Sequence, residues 1–180
     1  FGGDVSSYPR PYASRLEDRT YVYQPNPVKG NKPIIPGHAY SDLFYLPERS
    51  EQEYPHWALP LSGKRVNSKA DKRKVMLQQI RRYLSIPQFP WYQQFCAFVG
   101  DSDYSVPPFL MGICSLKNLV GIIRVRSNRV FYRQPKATHQ AAGPGRPALY
   151  GKAFKLGDKR TWPEPAERTE TTFQGDKGKE

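Results

Sequence analysis

Two aspartates stand where their carboxylates could meet a ligand. Asp101 directly follows the apolar run FCAFVG at 95–100. A carboxylate at the end of a strand lies open at the rim of a sheet, where ions and ligands reach it. The turn-rich stretch Gly100-Asp101-Ser102-Asp103-Tyr104 also allows a plainer role, an Asx turn that caps the next helix. Of the two acids there, Asp103 reads as the cap or turn residue. Asp4 follows Phe1-Gly2-Gly3. With a strand leading into it, Asp4 would sit at a strand end as Asp101 does. Carboxylates from adjacent strands can bind divalent metal, because Mg²⁺ takes oxygen ligands in near-octahedral geometry. A pair of such ions would activate a nucleophile and stabilise a leaving oxygen on phosphorus.

Other chemistry finds less support. His38, His56 and His139 have no metal-ligand spacing. Cys96 sits inside an apolar run and reads as a core residue. With Cys114 it makes neither a disulfide framework nor a zinc site. Ser102 has no partnered His motif, so a hydrolase triad lacks support. The loop around 63–69 lacks the Walker pattern.

The elements that must position the acids follow from the apolar pattern. Residues 1–20 are polar and turn-rich, with Tyr8-Pro9-Arg10-Pro11 as an extended piece. Tyr21-Val22-Tyr23, HAYSDLFYL (38–46) and WALPL (57–61) read as strands of an antiparallel meander. Ser68 stands at a helix N-cap position, and Val75, Met76, Ile80 and Leu84 mark the apolar face. Lys69, Lys72, Arg73, Arg81 and Arg82 fall on the exposed side, and Pro87 and Pro90 end the helix. A strand at 95–100, a short helix at 106–116 and a strand at 119–125 (LVGIIRV) follow. The last is the best buried-strand candidate. Alternating strands and helices imply a mixed sheet with parallel neighbours. After Arg133 the chain turns polar and rich in Pro and Gly, with weak strand character at 150–156.

Composition bounds the function. The chain has 180 residues, of which 38% are apolar, with 18 Pro and 14 Gly. Twelve Tyr, nine Phe and three Trp speak for an ordered body, since disordered chains are poor in aromatics. No apolar run approaches the ~20 residues of a membrane span, and no signal peptide is visible. The chain begins at Phe1 without Met, so the expectation is that the start of a longer protein is missing. The formal net charge is +12, from 28 basic and 16 acidic residues. It is unevenly placed: residues 1–60 hold 6 basic and 7 acidic side chains, and residues 61–100 hold 8 and 1. Between 117 and 160 there are 11 basic residues and only Asp158. Such density suits a polyanion through counterion release. A solvated surface that merely confers solubility would look the same.

Three long stretches carry a resemblance. They are RPYASRLEDRTYVYQPNPVKGNKPIIPGHAYS (10–41), FVGDSDYSVPPFL (98–110), and VGIIRVRSNRVFYRQP with GRPALYGKAFKLGDKRTWPEP (120–165). In order and phrasing they resemble the catalytic core of bacterial insertion-sequence transposases of the DDE type, in the ribonuclease-H-like superfamily. The resemblance implies a mixed α/β sheet with flanking helices over residues 1–133. It implies a β-rich, irregular and truncated insertion over 134–180. Asp4 matches the first catalytic acid, at the end of the first strand. Asp101 matches the second, in the GDSxYS phrase at the end of the fourth. The third acid of the family is a Glu on a helix beyond the insertion. Glu164, Glu167 and Glu170 have no helical apolar face around them and read as exposed loop residues. The expectation is a chain that stops inside the insertion, so that this fragment alone is inactive.

The same resemblance implies Mg²⁺ or Mn²⁺ on Asp4 and Asp101, and double-stranded DNA, transposon ends and target, as partner. It leaves room for a homodimer of the full-length protein, in the bacterial cytoplasm at the nucleoid. Arg124 and Arg126 would share one strand face by period-two alternation. With Arg129, Arg133, Lys72 and Arg73 they would hold DNA phosphates. A strand edge protected by charge would carry the same residues. Gly145-Arg146-Pro147 resembles the core of an AT-hook, in which Arg146 would enter a minor groove, although a flexible turn fits as well. The rival functions are a non-catalytic basic nucleic-acid-binding module, a nuclease that cleaves without joining, and a scaffold whose charge only confers solubility.

Overall fold

In the computed structural model, the described residues are 1–13, 15–24, 33–47, 57–135, 149–165 and 167–170. The chain divides into two units, Phe1–Val125 and Arg126–Glu180. The first contains β1 (Gly2–Pro9), β2 (Thr20–Tyr23), β3 (Ile34–Tyr45), β4 (Leu59–Val66), α1 (Lys72–Leu84), β5 (Cys96–Gly100), α2 (Pro107–Cys114) and β6 (Leu119–Ile123). Its sheet runs β2-β3-β1-β5-β6, with β4 also paired to β3. The first four strands pair antiparallel, whereas β1 with β5 and β5 with β6 are parallel. This is a mixed α/β sheet compatible with a ribonuclease-H-like fold.

The polar start of the chain is not turn-rich, as the sequence suggests, but the central strand β1. Its sequence GGDVSSYP has no apolar alternation to announce it. Backbone pairing holds it on both sides: with β3 from Gly2 to Pro9, and with β5 at Gly2 and Gly3. Asp4 therefore lies inside β1, just past the parallel ladder, rather than at the strand's end. On β3 the register with β4 shifts between Leu43 and Phe44. The irregularity accommodates Pro60, which has no N–H to give the ladder.

Helix α1 begins later than Ser68. Asp71 is its N-cap, accepting the Arg73 N–H at 2.9 Å. Ser68 is instead tied to Asp18, which accepts from its N–H at 3.1 Å and its hydroxyl at 2.7 Å. Val75, Met76, Gln79 and Ile80 face the core, and Leu84 is half-buried. Arg81 and Arg82 stand in the last turn, where positive charge suits the helix dipole. Helix α2 opens with Pro107, whose missing N–H costs nothing in the first turn. Phe98, Tyr104, Phe109, Ile113 and Leu119 join Met76 and Ile80 in one core, extended by Phe1 and Trp91.

Strand β6 departs from its expected burial. It is the end strand of the sheet path, with Val120 and Ile122 exposed and only Leu119 buried. It also stops at Ile123. The alternation that would put Arg124 and Arg126 on one strand face therefore does not reach them.

In the second unit, β7 (Val130–Tyr132) pairs antiparallel with β8 (Ala153–Lys155). The weak strand signal at 150–156 is realised as β8, while β7 is unannounced. Phe131 and Phe154 face each other across the pair, with ring centroids 6.1 Å apart. Among the described residues, no helix is long and apolar enough to cross a membrane.

One buried polar cluster joins α1 to the sheet. The Gln79 side chain accepts from the Ser41 hydroxyl at 2.7 Å and donates to the Ser41 carbonyl at 3.0 Å. It also donates to the Ser62 hydroxyl at 2.9 Å. Gln79→Leu keeps the volume and strands these partners. It should cost about 1–3 kcal/mol in urea unfolding, and an unchanged midpoint would show that the cluster carries no net stability.

Candidate active site

The acids come together through the register of the sheet. Gly2 pairs with Val99 and Gly3 with Gly100 in the parallel ladder. One step further, Asp4 and Asp101 stand on adjacent strands, whose spacing is about 4.8 Å. On the other side of β1, Asp4 is the direct partner of Asp42 on β3. On the other side of β5, Ile123 pairs with Gly100 and the Arg124 N–H donates to the Gly100 carbonyl at 3.0 Å. A single row thus crosses four strands: Asp42, Asp4, Asp101, Arg124. Sequence reading misses Asp42; its only signal is an acidic residue inside the strand-like HAYSDLFYL.

Each of the paired carboxylates is exposed and tied by one oxygen to local backbone. Asp4 Oδ1 accepts from the Val5 N–H at 2.7 Å. Asp101 Oδ1 accepts from the Asp103 N–H at 3.0 Å and caps the short 3₁₀ turn Ser102–Tyr104. Asp101, rather than Asp103, is therefore the capping residue. The cap does not exclude a ligand, since Oδ2 of each carboxylate takes no hydrogen bond among the described residues. Asp4, Asp101, Asp103, Lys72, Tyr104 and Ser68 line one cleft of about 520 Å³.

Lys72 and Arg73 meet the site through Asp103. The Lys72 ammonium pairs with the Asp103 carboxylate, and Arg73 Nε donates to the Asp103 carbonyl at 2.7 Å. Both side chains are half-buried. Their work is to pin the turn after Asp101 to the first turn of α1. Arg124 is exposed beside the acids, while Arg126, Arg129 and Arg133 belong to the second unit. Arg146, His56 and His139 lie outside the described residues. Glu164, Glu167 and Glu170 are exposed in irregular chain of the second unit. Among the described residues no three His, Cys, Asp or Glu side chains gather as a metal-holding group.

A family model for the DDE superfamily endonuclease matches residues 1–178. The chain belongs to the DDE superfamily endonucleases. No curated protein and no solved structure matches it. Membership makes this a nuclease-type chain whose substrate class is DNA, and such endonucleases typically work with divalent metal ions. The residues present suit that chemistry. Asp4 and Asp101 offer hard carboxylate oxygens on neighbouring strands. The Tyr104 hydroxyl, buried against the same cleft, has no hydrogen-bond partner among the described residues.

One further acid steadies the cleft wall. Asp18 accepts from Arg65 at 2.8 Å as well as from Ser68, and Arg65 first, then Ser68, holds its carboxyl down at about 2. A carboxyl with a folded value below its unfolded one stabilises the fold above the unfolded value and loses that contribution as pH falls through the folded one. The clamp is therefore complete above the ordinary 3.8 and is lost towards about 2. Asp18→Ala should be less stable than wild type at pH 6, with the difference closing in urea titrations between pH 4 and pH 2. A deficit of constant size over that range would assign the clamp no ionic character.

Proposed function

We propose that the chain is the catalytic core of an insertion-sequence transposase that cuts and joins DNA. The supporting observation is the register that sets Asp4 and Asp101 side by side in a chain of this family. Residues 1–133 form the core and 134–180 the insertion in this reading. Asp4 and Asp101 hold Mg²⁺ or Mn²⁺. When bound, the ion supplies Lewis-acid stabilisation of charge on the phosphoryl oxygens.

Cleavage at a transposon end forms a bond from water oxygen to phosphorus and breaks the bond from phosphorus to the 3′ oxygen, which leaves with a proton. Joining repeats the exchange, with the freed 3′ hydroxyl as nucleophile and the 3′ oxygen of the target strand as leaving group. Arg124, one residue past β6 and beside Asp101, meets the backbone phosphate nearest the acids. Arg126, Arg129, Arg133 and Arg146 hold other backbone phosphates. Lys72 and Arg73 contribute through their grip on Asp103. The third acid has no counterpart among the described residues. On this reading the protein acts as a homodimer at the bacterial nucleoid.

In the full-length protein, Asp4→Ala or Asp101→Ala should lower cleavage at least about a hundredfold, equivalent to ~2.7 kcal/mol. DNA binding should stay close to wild type and weaken steeply with added salt. Cleavage at the wild-type rate by Asp101→Ala would overturn the reading of the acids, and DNA binding without cleavage by the unaltered protein would leave a basic DNA-binding module. Cleavage without strand transfer by the unaltered protein would make it a nuclease.

A further inference from the structure

Tyr104 is 1% exposed, and its hydroxyl is the buried side-chain polar atom left without a partner among the described residues. Burying a hydroxyl dry costs about 1–3 kcal/mol. The packing around it gives nothing back for that oxygen. The ring meets Phe98 edge-on at 5.6 Å and Phe109 at 4.9 Å, contacts that a phenylalanine would make equally well. The groups that could use the hydroxyl lie on the cleft side of the ring. Tyr104 lines the cleft with Asp4 and Asp101. Burial first, and then the charges of Asp4, Asp101, Asp103 and Asp42 in that order, push its phenol above the ordinary value. Asp4 is thus the carboxylate that Tyr104 feels most strongly. Asp4 has one oxygen on the Val5 N–H and the other unclaimed.

We propose that Tyr104 is a positioning residue, whose hydroxyl donates to the unclaimed oxygen of Asp4 and orients that carboxylate for a divalent cation shared with Asp101. The inference rests on the reading of Asp4 and Asp101 as a cation site. It gives the dry hydroxyl a purpose that folding alone does not. A carboxylate on an exposed strand position can rotate freely. One held from behind by a buried, rigid phenol keeps the remaining lone pairs of its oxygens aimed in a fixed direction. Partners of this kind around metal ligands are worth about 10- to 100-fold in metal affinity.

The test is Tyr104→Phe in the full-length protein, followed by calorimetric Mn²⁺ titration, thermal unfolding without metal, and cleavage of DNA as a function of Mn²⁺ concentration. The variant should unfold at the wild-type temperature or slightly above it. Its Mn²⁺ dissociation constant should rise about 10- to 100-fold, and high Mn²⁺ should restore much of the cleavage rate. Mn²⁺ affinity equal to wild type would overturn the positioning role. Marked destabilisation of the metal-free variant would also overturn it, by showing that the hydroxyl has a structural partner. Asp101→Ala separates the two readings. If it binds Mn²⁺ as the wild type does, the acidic pair is not the cation site and the parent reading fails, whatever Tyr104 does.

Discussion

Phe98 occupies the space that side chains at residues 3 and 100 would need. A Cβ on Gly3 would come within 2.7 Å of the Phe98 ring and of Met76 Cε, and one on Gly100 within 2.9 Å of Phe98 and Tyr104. Real carbon atoms do not approach so closely, so the ring can pack against the β1–β5 junction only because both positions are glycine. Among the described residues that junction is the sole parallel link between β1 and the second half of the sheet, and it is two residues long. Each glycine is followed at once by an acid, Asp4 in one strand and Asp101 in the other. The aromatic core therefore packs directly against the residues that precede the two carboxylates. Phe98 packs on Tyr104 and Phe109, so α2 and the turn after Asp101 are braced by the same ring.

The basic residues divide into two kinds of work. Part of the charge on α1 is spent inside the fold, with Lys72 and Arg73 bridging to Asp103. Surface ion pairs are worth little by themselves. Their value here is geometric, because Asp103 is two residues from Asp101 and its N–H holds the Asp101 carboxylate. Arg124 is different: its backbone continues the β5–β6 ladder by one bond, and its side chain is exposed. A charge on a defined backbone position beside the acids can meet a phosphate at a fixed distance from them.

Much of this was legible in the sequence where burial left an imprint. The apolar runs announce β3, β5 and α2, and the Val75, Met76, Ile80 spacing announces α1. The misses share a physical cause. Strand β1 is held by ladders on both sides and is half-buried along most of its length, so its residues need not alternate. The start of α1 was set by tertiary contact, because Asp18 captures Ser68 and leaves the capping to Asp71. The apolar LVGIIRV looks like a buried strand but lies at the end of the sheet path, where one face stays open. The resemblance named Asp4 and Asp101 together, and the register sets them on adjacent strands, which the residue pattern alone could not foresee. It did not point to Asp42 or to the hydroxyl of Tyr104, since those matter only once the register is known.

The row of acids poses an electrostatic problem that the rest of the chain makes sharper. Asp4 and Asp42 face each other directly across β1 and β3, and like charges so placed oppose the pairing. Asp101 adds a third carboxylate one strand away. In a chain of net charge +12, this is a local concentration of negative charge at the spot where a DNA backbone would have to come closest. Basic residues draw the polyanion in, yet the carboxylates repel the phosphate that is to react. A divalent cation between Asp4 and Asp101 resolves the conflict on the proposed reading, because it changes the sign that the phosphate meets. The sheet tolerates the unfavourable row because the β1–β3 ladder runs on through eight pairs, and Phe98, Met76 and Leu43 pack in the core beneath its end.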